Sequence, residues 1–150
     1  MCRCRNHVGQ PRVMRYERET AALGGIARRS DLRHMGLDDQ TVRIFVAYGR
    51  LLRVRQAWYA LPDTHADAVR SCRVGGRLAC ASALRFHGVA VADDGVLHVE
   101  LSANAVARMP NQGWGTVRVH WTRLPSAGNR AVVDAEAARR QWERCGRATR

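Results

Sequence analysis

Between residues 24 and 62, turn-forming residues divide the chain into short pieces, and this division constrains the fold more than any other feature of the sequence. Gly24-Gly25 follows a first helical stretch, and Gly36 separates two further short helices. Gly49 ends the second of these, and Pro62 closes an alternating run. Glycine after a helical stretch is typical of a left-handed C-cap, and proline ends regular structure. The spacing therefore favours short helices and a hairpin joined by tight turns.

Caps and apolar spacing predict the two helices on either side of Gly36. The first has Ser30 as its N-cap, and the second runs from an N-cap at Asp38 to about Tyr48. Apolar residues recur at helical spacing, Leu32 and Met35 in the first helix and Val42, Phe45 and Val46 in the second. Two short helices joined by a tight glycine turn predict a helix-turn-helix.

The run after Gly49 alternates with the two-residue period of a β-strand. Its two halves, residues 51–55 and 58–61, flank Gln56-Ala57, which we expect to form the turn of a hairpin. A helix-turn-helix followed directly by a basic hairpin indicates a winged helix, which we place at residues 14–62.

Two arginines of this hairpin are expected to lie on one face of their strand. Arg53 and Arg55 are two residues apart, and side chains at that separation point to the same side of a strand. Leu52 and Val54 would then face the core. A row of arginines on one face favours contact with phosphates, and the alternative is a solvated basic surface.

The remainder of the chain predicts an α+β fold, in which a small mixed helix/strand domain and a C-terminal helix follow the winged helix. We expect helices at 64–74, 78–86 and 132–145, and strands at 96–101 and 116–121. The expected organisation is a disordered basic leader at 1–13, the winged helix-turn-helix at 14–62, a small α/β domain at 63–125, and a C-terminal helix and tail at 126–150.

The charge of the chain points to a polyanionic partner. The sequence has 25 basic residues, all of them arginine, and 13 acidic ones, for a formal net charge of +12. The stretch 1–62 holds 12 of the arginines and five of the acidic residues, so it is the more basic part for its length. Such an excess favours nucleic acid over a membrane surface as the partner.

No segment of the sequence predicts a membrane or secreted protein. No apolar run approaches the roughly 18 residues that a membrane-spanning helix needs. Residues 1–10 are polar and basic, unlike a signal peptide. The five cysteines are an odd number, which argues against a disulfide framework. We therefore expect a cytoplasmic protein.

No metal and no other cofactor is expected from the sequence. Cys2, Cys4 and His7 could form a metal knuckle, but C-x-C lacks the usual zinc spacing and no second ligand pair follows at a matching distance. Cys72 and Cys80 flank a Gly-Gly turn, and we interpret them as small core residues.

The polar residues do not predict an enzyme either. His98-x-Glu100 is similar to part of a zinc deaminase motif, but no Pro-Cys-x-x-Cys follows to complete it. His87 and His120 each stand alone in the sequence, and a lone histidine on a strand or beside a glycine is interpreted as structural.

The candidate DNA contacts fall into two groups. The outward side of the second short helix would read bases through Asp39, Gln40 and Arg43, since glutamine suits adenine and arginine suits guanine. Thr41 either touches a phosphate or a thymine methyl group, or packs on the turn. Gln56, at the hairpin tip, either enters a minor groove or serves only as the turn. Phosphates would be held by the arginines of the motif and the wing: Arg28, Arg29, Arg33, Arg50, Arg53 and Arg55.

The same residues resemble a known family, the AbiEi-type antitoxin N-terminal domain of actinobacteria and their phages. The resemblance is clearest in Gly24-Gly25-Ile26-Ala27-Arg28-Arg29-Ser30-Asp31-Leu32, Gly36-Leu37, Val42-Arg43, Gly49-Arg50-Leu51-Leu52-Arg53-Val54 and Trp58-Tyr59-Ala60-Leu61-Pro62. It extends over roughly residues 14–125 through Ser82-Ala83-Leu84, His87-Gly88, His98-Val99 and Val117-Arg118-Val119-His120.

The resemblance implies that the first domain is a winged helix that binds DNA and, in type IV toxin–antitoxin systems, represses its own operon. Many actinobacterial relatives also carry a C-terminal nuclease-like domain, and this chain stops before such a domain would begin. The chain also has Asp38-Asp39 where relatives often show serine or basic residues.

The function expected is therefore sequence-specific binding of double-stranded DNA, as a transcriptional regulator or antitoxin-like repressor. A toxin protein or a second copy of the chain would be a further partner. The alternative is a protein-interaction module, for a toxin or a host factor, whose basic charge is incidental. The salt dependence of binding distinguishes these two functions, because a DNA binder with several phosphate contacts loses affinity steeply as the salt concentration rises.

Overall fold

The computed structural model describes residues 12–109, 113 and 115–147, and within them the fold is α+β, as the sequence predicts. The helices are α1 (Arg12–Ala22), α2 (Arg29–His34), α3 (Asp39–Ala47), α4 (Ala66–Val74), α5 (Cys80–Phe86) and α6 (Ala135–Arg147). The strands are β1 (Ile26–Arg28), β2 (Leu52–Arg55), β3 (Trp58–Ala60), β4 (Arg77–Leu78), β5 (Val96–Ser102) and β6 (Thr116–Thr122). Residues 1–11 of the leader expected at 1–13 lie outside the described residues. The last two residues of that leader are helical, because α1 begins at Arg12.

The first half of the chain packs helices α1, α2 and α3 against an antiparallel sheet in the order β1-β3-β2. The helices on both sides of Gly36 and the hairpin around Gln56-Ala57 are where the sequence predicts them. A buried cluster joins them: Tyr16, Ala27, Leu32, Met35, Leu37, Val42, Leu51, Tyr59 and Leu61.

The N-cap predicted at Asp38 is confirmed, whereas the N-cap predicted at Ser30 is wrong. The Asp38 carboxylate accepts a hydrogen bond from the Thr41 N–H at 2.7 Å. Helix α2 starts two residues earlier than predicted, at Arg29, with Arg28 as its N-cap. The Arg29 N–H donates to the carbonyl of Ala57, so sheet pairing holds the chain extended up to the first residue of the helix.

A β-bulge in β2 places Arg53 and Arg55 on opposite faces of the sheet, so the prediction that they share a face is wrong. Arg53 lies opposite Tyr59 and Arg55 lies opposite Trp58, which leaves Val54 as an extra residue. Tyr59 and Trp58 are consecutive and point to opposite faces. Arg53 and Arg55, which pair with them, therefore also point to opposite faces.

The expectation that Leu52 faces the core is also wrong. Leu52 is 40% exposed, whereas Val54 is buried as expected. Strand β2 lies at the edge of its sheet, where a side chain has a neighbouring strand on one side only.

The second half forms a sheet in the order β4-β5-β6 with helices α4, α5 and α6. Strand β4 is antiparallel to β5, and β5 is parallel to β6 over seven residue pairs, from Val96–Thr116 to Ser102–Thr122. Helix α4 begins after His65, two residues later than predicted. His65 is exposed, and its ring accepts a hydrogen bond from the Asp67 N–H.

Helices α5 and α6 also begin later than the sequence predicts. Helix α5 starts at Cys80 and not at Leu78, and α6 starts at Ala135 and not at Val132. The Leu78 N–H donates to the Ala131 carbonyl, and the Val133 N–H donates to the Leu78 carbonyl. These hydrogen bonds hold both segments extended, which excludes them from the helices that follow.

A second buried cluster joins the two halves of the molecule. It combines Ile26, Val54 and Ala60 of the first sheet with apolar residues of the second half, among them Val69, Leu78, Leu84, Val99, Leu101, Val133 and Ala137. The first sheet is thus buried on both faces. The domain boundary near residue 62 stays a prediction, and the buried cluster crosses it.

Of the helices in residues 12–109 and 115–147, none combines the length and apolar character that crossing a lipid bilayer requires.

We predict that Gly76→Ala destabilises the protein by about 3 kcal/mol, because added volume in a packed interior displaces its neighbours. A Cβ at residue 76 would lie 2.1 Å from the carbonyl oxygen of Glu100 and 2.7 Å from Cδ1 of Leu101. The measurement is the free energy of unfolding from chemical denaturation.

Gly146→Ala is the matched control for this substitution. A Cβ at Gly146 meets nothing within 4 Å, and alanine is the better helix former, so this variant should gain up to about 1 kcal/mol. Equal effects of the two substitutions would contradict the packing described around Gly76.

Candidate nucleic-acid interface

Helix α3 presents a continuous exposed stripe to solvent. Gln40, Arg43, Ile44 and Ala47 are all exposed, and they lie at i, i+3, i+4 and i+7, which is one face of an α-helix. The opposite face carries Val42, which is buried in the first core. The outward positions that the sequence predicts, Gln40 and Arg43, are therefore on the surface. Ile44, 45% exposed, belongs to the stripe although its apolar character gave no reason to expect it.

The start of α3 is acidic but neutralised. The Asp39 carboxylate accepts from Nε of Arg29 at 2.7 Å and from Nη2 of Arg33 at 3.1 Å. These hydrogen bonds lower the pKa of Asp39 to about 2, with that from Arg29 contributing most. Both carboxylate oxygens of Asp39 are thus occupied by residues of α2, which joins the two helices through a charged contact.

Asp38 and Thr41 have a structural role at the same helix end. The backbone N–H of Thr41 donates to Asp38, and this hydrogen bond, with a second from the threonine side chain, lowers the pKa of Asp38. Of the two roles weighed for Thr41, this contact supports packing at the helix start.

Arg53 is the arginine of β2 that lies beside α3. Together with Arg29, Arg43 and Tyr59 it lines a cavity of about 380 Å³ between the helix and the strand. The structure therefore brings three of the predicted arginines to one place, one each from α2, α3 and β2. Arg50 lies apart from them, with its guanidinium 5.3 Å from the ring centre of Phe45 and 3.4 Å from the Glu17 carboxylate.

Arg28 and Arg55 lie on the other side of the sheet, around Trp58. Each guanidinium carbon is 4.7 Å from the centre of the Trp58 ring, and that of Arg130 is 6.0 Å away. The Nε of Arg55 is buried and has no hydrogen-bond partner. Trp58 packs against the buried cluster that joins the two halves, and its ring also contacts these arginine side chains.

These residues border a larger cleft between the two halves of the molecule. Its volume is about 850 Å³, and its basic lining residues are Arg28, Arg55, Arg77, Arg108 and Arg130. Arg130 also bonds the Asp31 carboxylate, with Nη2 2.9 Å from Oδ1. The arginines predicted from the sequence as one DNA-binding set are thus divided by the sheet between two surfaces.

Gln56 is exposed at the tip of the hairpin, as predicted. The next residue, Ala57, has a φ of 63°, which is unusual for a residue other than glycine. The tip is nevertheless fixed, because the Ala57 carbonyl accepts from the Arg29 N–H.

A group of metal-ligating side chains, which the sequence analysis missed, lies in the second half. The ligand atoms of Cys80, His98, His120 and Cys145 are all within 4.8 Å of one another. Cys80 is buried, as its interpretation as a core residue predicts, and it also belongs to this group, whereas His120 was interpreted as a lone structural histidine. Cys72 is buried in the main core, as expected.

The ring of His87 lies 2.8 Å from the Val133 carbonyl, which agrees with a structural role. The knuckle considered at Cys2, Cys4 and His7 lies outside the described residues.

Neither a protein-family model nor a curated protein matches the sequence of this chain.

We predict that Asp39 stays ionised down to about pH 3 in the folded protein. Its lowered pKa means that its ion pairs stabilise the fold above the ordinary pKa of an aspartate and are lost as the pH falls towards 2. The NMR chemical shift of the Asp39 carboxyl carbon, recorded from pH 6 down to pH 3, should therefore stay close to that of the ionised form.

Arg29→Gln tests the cause of the lowered pKa. This variant should titrate at a clearly higher pH than the wild type, and Arg33→Gln should show a smaller increase. An unchanged Asp39 titration in the Arg29→Gln variant would contradict the described contact.

Proposed function

We propose that this protein binds double-stranded DNA through a winged helix at residues 14–62, with α3 as the recognition helix. The observation that carries the proposal is the exposed stripe of α3, which has arginines of α2 and β2 on its flank. A recognition helix needs an outward face that is not used for packing, together with cations beside it that can hold phosphates.

Base contacts in this proposal come from Gln40 and Arg43. The two side chains are three residues apart on the exposed stripe, and both can make paired hydrogen bonds to base edges in a major groove. Ile44 adds an apolar side chain that suits a thymine methyl group.

Phosphate contacts come from Arg29, Arg33 and Arg53. Arg29 and Arg33 share one carboxylate, Asp39, so this group keeps a net positive charge. In this proposal Asp39 orients two guanidinium groups, and Gln40 and Arg43 make the contacts to bases. Arg53 approaches from the wing on the same side of the sheet.

The regulatory role is that of an antitoxin-like transcriptional repressor, and this part rests on the resemblance of residues 14–125 to the AbiEi-type family. A toxin protein, or a second copy of the chain bound to a symmetric operator, is the partner that this role implies. Selection of bound DNA from a random pool would identify the operator sequence. A palindromic selected sequence would indicate that the protein binds as a dimer.

We predict different effects for two arginine variants on the selected site. Arg43→Ala should weaken binding by about 1–3 kcal/mol and relax the preference for one base pair, because it removes a base contact. Arg53→Ala should weaken all sequences alike and lower the slope of log affinity against log salt by about 1. Fluorescence anisotropy at several salt concentrations measures both effects.

Arg55→Ala is the matched control, since Arg55 lies two residues from Arg53 but on the opposite face of the sheet. It removes the same charge from the same strand and should leave DNA affinity nearly unchanged, with thermal melting used to confirm that the variant is folded. The proposal fails if the wild type shows no steep salt dependence, or if Arg43→Ala and Arg53→Ala bind like Arg55→Ala. An interaction with protein would then be the better explanation of this surface.

A further inference from the structure

Four separate elements of the second half converge on one small volume. Cys80 is the first residue of α5, His98 lies on β5, His120 lies on β6, and Cys145 lies near the end of α6. In the parallel pairing of β5 and β6, His98 is opposite Arg118 and His120 is opposite Glu100. The two histidines are therefore on the same face of the sheet.

The distances suit one tetrahedral metal ion. All four ligand atoms lie within 4.8 Å of one another, and Nδ1 of His98 is 2.9 Å from Nε2 of His120. Zinc bound to two sulfur and two nitrogen atoms separates its ligands by about 3.3–3.8 Å. Small side-chain movements are enough to reach this geometry.

A carboxylate orients one of the histidines for such a role. The other ring nitrogen of His98, Nε2, lies 2.9 Å from Oδ2 of Asp94. When Nε2 donates to Asp94, the lone pair of Nδ1 is directed at the cluster, where it accepts a hydrogen bond from Nε2 of His120 when no metal is bound. Histidines that bind metals commonly donate their second nitrogen to a carboxylate or carbonyl in this way.

The backbone of Cys80 is held in an unfavourable conformation that the fold maintains. Its φ is 49°, in the left-handed region that non-glycine residues rarely occupy. Its N–H donates to Oε1 of Gln141 on α6 at 2.9 Å. Strain of this kind is found preferentially where a side chain must be placed for function.

The charges around the cluster also balance. Two cysteine thiolates neutralise a divalent cation. The charged groups around the cluster are Asp94, bonded to His98, Arg118, whose Nη1 lies 3.3 Å from Sγ of Cys145, and Glu100 and Arg144, which lie near His120. A divalent ion bound by two thiolates would therefore add no net charge to this partly buried region.

We propose that Cys80, His98, His120 and Cys145 bind one Zn²⁺ ion in a tetrahedral site. On binding, the two thiols lose their protons to solvent and the two histidines coordinate as neutral rings. Four protein ligands fill the coordination sphere, which is typical of a structural zinc and leaves no position for a substrate. The ion fastens α5 and α6 to the same face of β5 and β6.

The test measures metal in the full chain, purified under reducing conditions. We expect one zinc per chain by elemental analysis. After removal of zinc, addition of Co²⁺ should give the visible absorption bands of tetrahedral cobalt together with thiolate charge-transfer bands. Added Zn²⁺ should abolish both sets of bands and raise the melting temperature.

Variants distinguish this site from the other cysteines of the chain. Cys145→Ser and His120→Ala should each weaken Co²⁺ binding by at least about 100-fold, and Asp94→Asn by about 10–100-fold, because it removes a partner of a ligand. Cys72→Ser is the matched control, since Cys72 is buried outside the cluster. The double variant Cys2→Ser/Cys4→Ser controls for thiols near the N-terminus, and both controls should bind like the wild type.

Three results would overturn the proposal. One is the absence of tetrahedral cobalt bands in the wild-type chain. Another is metal binding that survives Cys145→Ser but is lost in Cys2→Ser/Cys4→Ser. The last is a Cys80–Cys145 disulfide, detected by mass spectrometry, in a chain that contains no zinc. If Cys145→Ser fails to fold, His120→Ala decides the matter, because wild-type affinity in that variant excludes His120 as a ligand.

Discussion

The structure depends on one small sheet that is buried on both faces. In strands β1, β3 and β2, Ala27 and Tyr59 belong to the first core, whereas Ile26, Val54 and Ala60 belong to the second. A shift of pairing by one residue would exchange the two sets and place every side chain in the wrong core. The same strands therefore determine where α3 stands and where the cleft beside the second half opens.

The sequence predicted most of the local structure of the first half, because caps and periodicity act over a few residues. Asp38 capped α3 as predicted, and the hairpin turned where predicted. The face of the sheet on which Arg55 lies could not be predicted from the sequence, because a bulge depends on how two strands pair. The late starts of α5 and α6 had the same kind of cause, as Leu78 is bonded to a segment far along the chain.

The group of cysteines and histidines illustrates a further limit on what a sequence can reveal. Spacing motifs work when two ligands come from one turn or one helix. Here each ligand comes from a different element, and only the parallel pairing of β5 and β6 brings His98 and His120 together. In the sequence, Cys80 and Cys145 are indistinguishable from cysteines that fill a core. The exposed stripe of α3, by contrast, followed from helical spacing alone.

The bulge at Val54 makes the distribution of positive charge depend on how two strands pair. With regular pairing, in which Val54 would lie opposite Trp58, Arg55 would point to the same side as Arg53 and its guanidinium group would leave Trp58. A substitution can remove either charge but cannot move it across the sheet. In related chains, the presence or absence of this bulge would thus redistribute basic surface between α3 and the cleft while net charge stays constant.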